Sequence, residues 1–130
     1  MRFWTSQRAV AVFWVLGGSS AVAHHSVTGV FDAEDEITIS GVISKVEWIN
    51  PHIHFTLEVT ADNGEVEAWE WETAPTAFLQ NAGITQDMLM GDGEPVTIHG
   101  IRARDKSLAR AWVYRITYAD GHFYQISNPR

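Results

Sequence analysis

Residues 41–59, GVISKVEWINPHIHFTLEV, decide the fold: two strand-like runs meet at Asn50-Pro51-His52. The second run alternates, with Ile53, Phe55, Leu57 and Val59 on one face and His52, His54, Thr56 and Glu58 on the other. This is the period of a half-buried strand, and the apolar face is the core side. Upstream, the apolar positions are odd at Ile37 and Ile39 and even at Val42, Val46 and Trp48, with Gly41 at the change. One extra residue at a glycine bulge produces such a slip, so a single long, sharply curved strand is expected to start at Glu36.

Downstream, TADNGE (60–65) supplies a turn, and Val66–Glu72 offers either Glu67, Trp69 and Trp71 or Val66, Ala68, Glu70 and Glu72 to the core. A two-residue Asn63-Gly64 turn would pair Leu57 with Glu70. A three-residue Asp62-Asn63-Gly64 loop, with Gly64 left-handed, pairs Leu57 with Trp69 and Phe55 with Trp71. Burying two glutamates is the costlier outcome, so the second register is expected, with His54 across from Glu72 and Thr56 across from Glu70 on the outer face. Residues 75–81 then form a short helix entered at Pro75 and ended before Gly83, and Thr85 caps another turn through Met90. A fourth strand (96–104) repeats the slip at Gly100. A fifth (110–118) places Trp112, Tyr114, Ile116 and Tyr118 on one face, and 123–126 forms a short last strand. Trp48, Trp69, Trp71 and Trp112 are all assigned to packing. Three meandering strands, a helix and two or three more strands is the order of an OB-fold-like antiparallel β-barrel, with a β-sandwich as the alternative.

The 130-residue chain has room for one small domain. Its first 23 residues carry Arg2 and Arg8, eight apolar residues (9–16) and the small-residue end Ala21-Val22-Ala23, the pattern of a cleaved secretory signal. The apolar run falls short of the roughly 20 residues a membrane span needs. The expected organisation is therefore a signal over 1–23, an N-terminal arm over 24–35 seated by Val30-Phe31, a barrel over 36–127 and a tail over 128–130, in a periplasmic or secreted protein. Cysteine is absent, which removes disulfides, thiolate metal sites and a cysteine nucleophile. Cleavage removes two of nine Lys+Arg and none of sixteen Asp+Glu, leaving 7 − 16 = −9. That charge disfavours nucleic acid and anionic membrane surfaces as partners, and favours cations or basic protein surfaces.

The histidines carry the main chemical signal. Cleavage after Ala23 makes His24 the first residue, whose amino group and imidazole can chelate one ion beside His25; cleavage after Ala21 places His24 third, also a Cu(II)-binding position. Nitrogen-rich tetragonal sets favour Cu(II), and His52 or His54 can supply a further imidazole if the arm folds over the barrel. His54 with Glu72 is equally consistent with an ordinary imidazole–carboxylate pair. Glu70 and Glu72 share a face and could form an acid/base pair, but a shallow surface offers little burial to separate two carboxylates. No nucleophile–base grouping or phosphate loop is recognisable, so the chain is not expected to be an enzyme.

Ala23-His24-His25-Ser26, Trp48-Ile49-Asn50-Pro51-His52, Trp69-Glu70-Trp71-Glu72 and Gly100-Ile101-Arg102-Ala103 together resemble an uncharacterised family of small exported bacterial proteins, a domain of unknown function. The resemblance covers the mature chain and implies a secreted, barrel-like single domain with no established activity. It includes His24, His25, Asn50, His52 and Glu72, whereas His54, His99 and His122 fall outside its pattern, which favours His52 over His54 as a ligand. The resulting expectation is a copper-binding protein using His24, His25 and His52, with His54, Glu70 and Glu72 as further face residues. The alternative is an adaptor binding a protein or glycan on the strand-two/three face.

Overall fold

The alternation around Asn50-Pro51 does build a curved strand and a hairpin, within a computed structural model that describes residues 26–127. The expected signal segment, His24, His25 and the tail over 128–130 lie outside the described residues. A one-turn helix α1 (Val27–Val30) leads into β1 (Phe31–Glu47), followed by β2 (His54–Thr60) and β3 (Val66–Glu72). Helices α2 (Thr76–Asn81) and α3 (Gln86–Met90) precede β4 (Val96–Ala103), β5 (Arg110–Thr117) and β6 (Phe123–Gln125). β1 thus starts at Phe31 rather than Glu36, although its pairing with β4 is irregular between those two residues.

β1 is 17 residues long and serves two neighbours. Its first part pairs with β4, from Phe31↔Ala103 to Gly41↔Val96, and its second with β2, from Val42↔Glu58 to Glu47↔His54. β2 pairs with β3, β4 with β5, and β3 meets β5 in parallel through Glu70↔Arg110, Trp71↔Ala111 and Glu72↔Trp112. The hydrogen-bonded ring β1–β2–β3–β5–β4 is the expected OB-fold-like barrel, and β6 extends it beside β5. The hairpin register is the expected one, with Leu57 opposite Trp69, Phe55 opposite Trp71 and His54 opposite Glu72. Ala61 and Glu65 close the loop at 2.8 Å, and Gly64 is left-handed at φ 84°.

The slip expected in β1 occurs, but its extra residue is not the glycine; the one expected in β4 does not, because β4 passes Gly100 in unbroken register with β1 and Ile101 and Ala103 face the outer cluster. In β1 the unpaired residue is Ser44, between Ile43↔Leu57 and Lys45↔Thr56, so Ile43 rather than Val42 enters the core. In the β4–β5 ladder the extra residue is Tyr114 of β5, between His99↔Arg115 and Gly100↔Val113. The glycines permit close crossings instead. A Cβ at Gly41 would lie 2.4 Å from the Glu58 carbonyl oxygen, and one at Gly100 would lie 1.9 Å from that of Trp112. The bulge at Tyr114 also overturns the expected parity of β5. Ala111, Val113, Ile116 and Tyr118 belong to the interior cluster, while Trp112 and Tyr114 pack on the outside of the barrel.

The interior is filled by Ile43, Ile53, Phe55, Leu57, Trp71, Ile98, Val113 and Ile116, with Leu79 of α2 and Leu89 of α3 packed against them. α2 is tied to the β1–β2 turn because Asn50 Oδ1 accepts from the Thr76 amide (3.3 Å) and hydroxyl (3.0 Å). The Asn50–Pro51 bond is cis. Thr85 Oγ1 accepts from the Met88 amide and caps α3, as expected. A second cluster lies outside the barrel: Phe31, Ile101, Ala103, Trp112 and Tyr114, covered by Val27 and Val30. Arg104 holds the covering segment by donating its amide to the Val30 carbonyl and its Nε to the Thr28 carbonyl, both at 2.9 Å.

Candidate functional site

The outer surface of β2, β3 and β5 carries a connected polar network beside this second cluster. Ile53 continues the β2 edge beyond the turn, accepting from the Thr73 amide (2.9 Å) and donating to the Ala74 carbonyl (3.2 Å), and so places His52 on the outer side. His52 Nδ1 lies 2.5 Å from Glu72 Oε1, with both side chains largely covered. Arg110 Nη2 donates to Glu72 Oε2 at 2.8 Å, and its Nε lies 3.1 Å from Glu70 Oε1. Glu70 in turn sits 3.4 Å from His54 Nδ1. The carboxylates therefore pair diagonally: His54, although opposite Glu72 in register, faces Glu70, while Glu72 joins His52 to Arg110. The parallel β3–β5 closure explains this, because it brings Arg110 alongside both glutamates.

Aromatic rings wall the network. His52 meets Trp112 edge-on with centroids 5.1 Å apart, Trp112 lies 5.9 Å from Phe31, and the Arg110 guanidinium sits 5.7 Å from the Phe31 ring. Trp112 also lines a cleft of 270 Å³ together with Ser26, Thr28, Tyr114 and Ser127. The first described residue, Ser26, thus lines the same cleft as the ring against which His52 packs.

This geometry has two chemical consequences. A carboxylate accepting from His52 Nδ1–H selects the tautomer whose lone pair is on Nε2, the arrangement commonly found behind metal-bound histidines. Arg110 donates to Glu72 and lies within ion-pair distance of Glu70, so one guanidinium serves two carboxylates, the first largely covered and the second half exposed. Among the described residues no group of three or more His, Asp or Glu is arranged to hold a metal ion. Of the residues expected from sequence, the fold brings His52, His54, Glu70 and Glu72 together, and His24 and His25 lie outside the described residues. Arg110, Trp112 and Phe31 were missed. Strand alternation alone hides Arg110, yet closing the predicted barrel through strands three and five would have placed it beside Glu70.

The chain matches, over residues 13–111, the family described as "Family of unknown function (DUF6152)", and it belongs to that family. No curated protein and no solved structure matches it.

Proposed function

We propose that this DUF6152 protein is an exported small binding protein that coordinates Cu(II), or a similar divalent ion, through His24, His25 and His52. The observation that carries the reading is the Glu72–His52 contact, which orients the imidazole and directs Nε2 away from the carboxylate. Two further features support it. Ser26, the residue that follows His25 in sequence, lines the cleft beside Trp112, whose ring His52 contacts. The two carboxylates of Glu70 and Glu72, which among the described residues share Arg110 as their one Lys or Arg partner, favour an incoming cation. Cleavage ahead of His24 would add the terminal amine to the donor set, and export would place the protein where copper is encountered.

Copper titration of the processed protein, with intact mass confirming the new terminus, tests this. One tight equivalent is expected, weakened by His52→Ala and by removal of His24-His25. Affinity unchanged by His52→Ala, in a variant with wild-type melting, would exclude the shared site.

A second reading is an adaptor that binds a protein or glycan on the β2/β3 face. It draws support from Val66, the first residue of β3, and Ile49, in the connection between β1 and β2, which are 59% and 52% exposed. Under it, copper binding is weak and indifferent to His52.

A further inference from the structure

The last hairpin and the loop after α3 enclose a separate cleft of 390 Å³, which shares no residue with the His52 network. Three rings line it. The His122 imidazole stacks flat on Tyr118, with centroids 4.4 Å apart and planes 3° apart. Tyr124 stands edge-on to both, at 5.3 Å from Tyr118 and 5.5 Å from His122. Tyr118 is fixed by a 2.7 Å hydrogen bond from its hydroxyl to the Leu89 carbonyl, and burial pushes its phenol up, so it stays neutral. Gly91 lets the loop close against this ring, since a Cβ there would lie 3.1 Å from it.

Two carboxylates, Asp92 and Asp120, share the cleft with these rings and with Met88. Asp120 accepts from the His122 amide at 3.0 Å and from the His122 ring, and these bonds hold its carboxyl below the usual range. Neither aspartate has a Lys or Arg counter-ion among the described residues. Lys45 pairs with Glu47, Arg104 and Lys106 with Asp32, Lys106 also with Asp35, and Arg110 with Glu70 and Glu72. Arg115 lies over Phe123 and Arg102 over Trp69. The cleft thus combines aromatic walls, a thioether and two carboxylates that no Lys or Arg pairs with among the described residues. A bare metal ion would lose its hydration against apolar rings, and an anion would be repelled by the aspartates. A weakly hydrated alkylammonium gains from both the rings and the carboxylates.

We infer that this cleft binds a compact organic cation with a methylated ammonium head, seated against His122 and Tyr124 and neutralised by Asp92 and Asp120. The head can belong to a free small molecule or to a methylated lysine side chain, since the recognising chemistry is the same.

The test is a titration of the whole protein followed by NMR shifts of the Tyr118, His122 and Tyr124 rings. The probes are choline, its neutral isostere 3,3-dimethylbutan-1-ol, and a short peptide carrying trimethyllysine. Saturable shifts with choline or the peptide are expected, with the neutral alcohol binding at least about tenfold more weakly. The tighter of the two cations identifies the source. Asp92→Asn with Asp120→Asn, both exposed positions, should weaken the cation about tenfold and the alcohol much less. Tyr124→Leu should weaken it comparably. Equal binding of cation and alcohol, no saturable shift with either cation, or full affinity in the double Asn variant would overturn the assignment. Copper binding through His52 is untouched by these variants, so the two sites stand or fall separately.

Discussion

Val113 and Trp112 are neighbours on β5 and both are buried, at 0% and 7% exposure, yet they belong to different cores. Val113 faces a barrel interior filled by regular strands, with apolar side chains from several elements converging on one space. Trp112 faces outward and is buried by the segment around Val27, Val30 and Phe31 and by the His52 contact. The interior follows from alternation along each strand. The exterior cluster follows from one chain segment crossing another, and the titratable network of His52, Glu72 and Arg110 forms at its edge. Burial on the outside of the barrel is what allows a polar network to be partly shielded while remaining reachable.

The sharpest way to break both regions at once is at the crossing they share. Gly100→Val places carbon where the Trp112 carbonyl oxygen already lies, and it should cost about 3 kcal/mol or more in chemical denaturation. Gly41→Val, with a 2.4 Å approach to Glu58, should be nearly as damaging. A wild-type midpoint for either would contradict the closed ring.

Phe55→Ala and Phe31→Ala compare the two regions directly, since each ring is 1% exposed. Both should lose about 3–4 kcal/mol. Only Phe31→Ala should red-shift Trp112 emission, which a variant retaining Trp112 as its sole tryptophan would report. A loss below about 1 kcal/mol for Phe31→Ala would mean that the outer cluster is cover rather than core.

Glu72→Gln tests the network. It keeps the shape but removes the charge shared by His52 and Arg110, and about 1–2 kcal/mol should be lost because the arginine remains a third exposed. Combining it with Arg110→Met should give a non-additive cycle; simple additivity would show that the carboxylate and guanidinium act independently.

The smallest effect concerns Tyr118 of the interior cluster. Burial raises its folded-state pKa above the unfolded value of about 10, so the native state retains the proton longer. Its contribution is therefore complete below about pH 10 and declines as pH rises further, by up to about 1.4 kcal/mol per unit. Denaturation midpoints from about pH 8 to about pH 11 should show this decline, and Tyr118→Phe should flatten it.

Much of the interior was legible from residue order. Ile53, Phe55 and Leu57 face inward because a strand repeats every two residues, and the three-residue loop at Gly64 fixed the partner of each. The phase changes near Gly41 and Gly100 were visible, but their causes were not: the first is a bulge at Ser44, and the second is a change from the interior to the outer cluster along an unbroken β4. A glycine marks where backbones must approach closely, whereas the bulged residue, Ser44 or Tyr114, is chosen by the ladder across from it. That one-residue difference was enough to misplace Trp112 and Tyr114. The candidate site was half legible for the same reason: His52, Glu70 and Glu72 fall on one predicted face, while Arg110 arrives from a strand almost 40 residues later.

By itself, then, the sequence determined the strand alternation, the hairpin register and the outward placement of His52 and Glu72, because these depend on local period and turn length. The tertiary structure alone decided that Glu72 joins His52 rather than His54, that Trp112 has its own outer core, and that three rings and two aspartates share a cleft. Each of those depends on the parallel closure of β3 on β5 or on segments crossing in space, and such contacts leave no periodic trace in the chain.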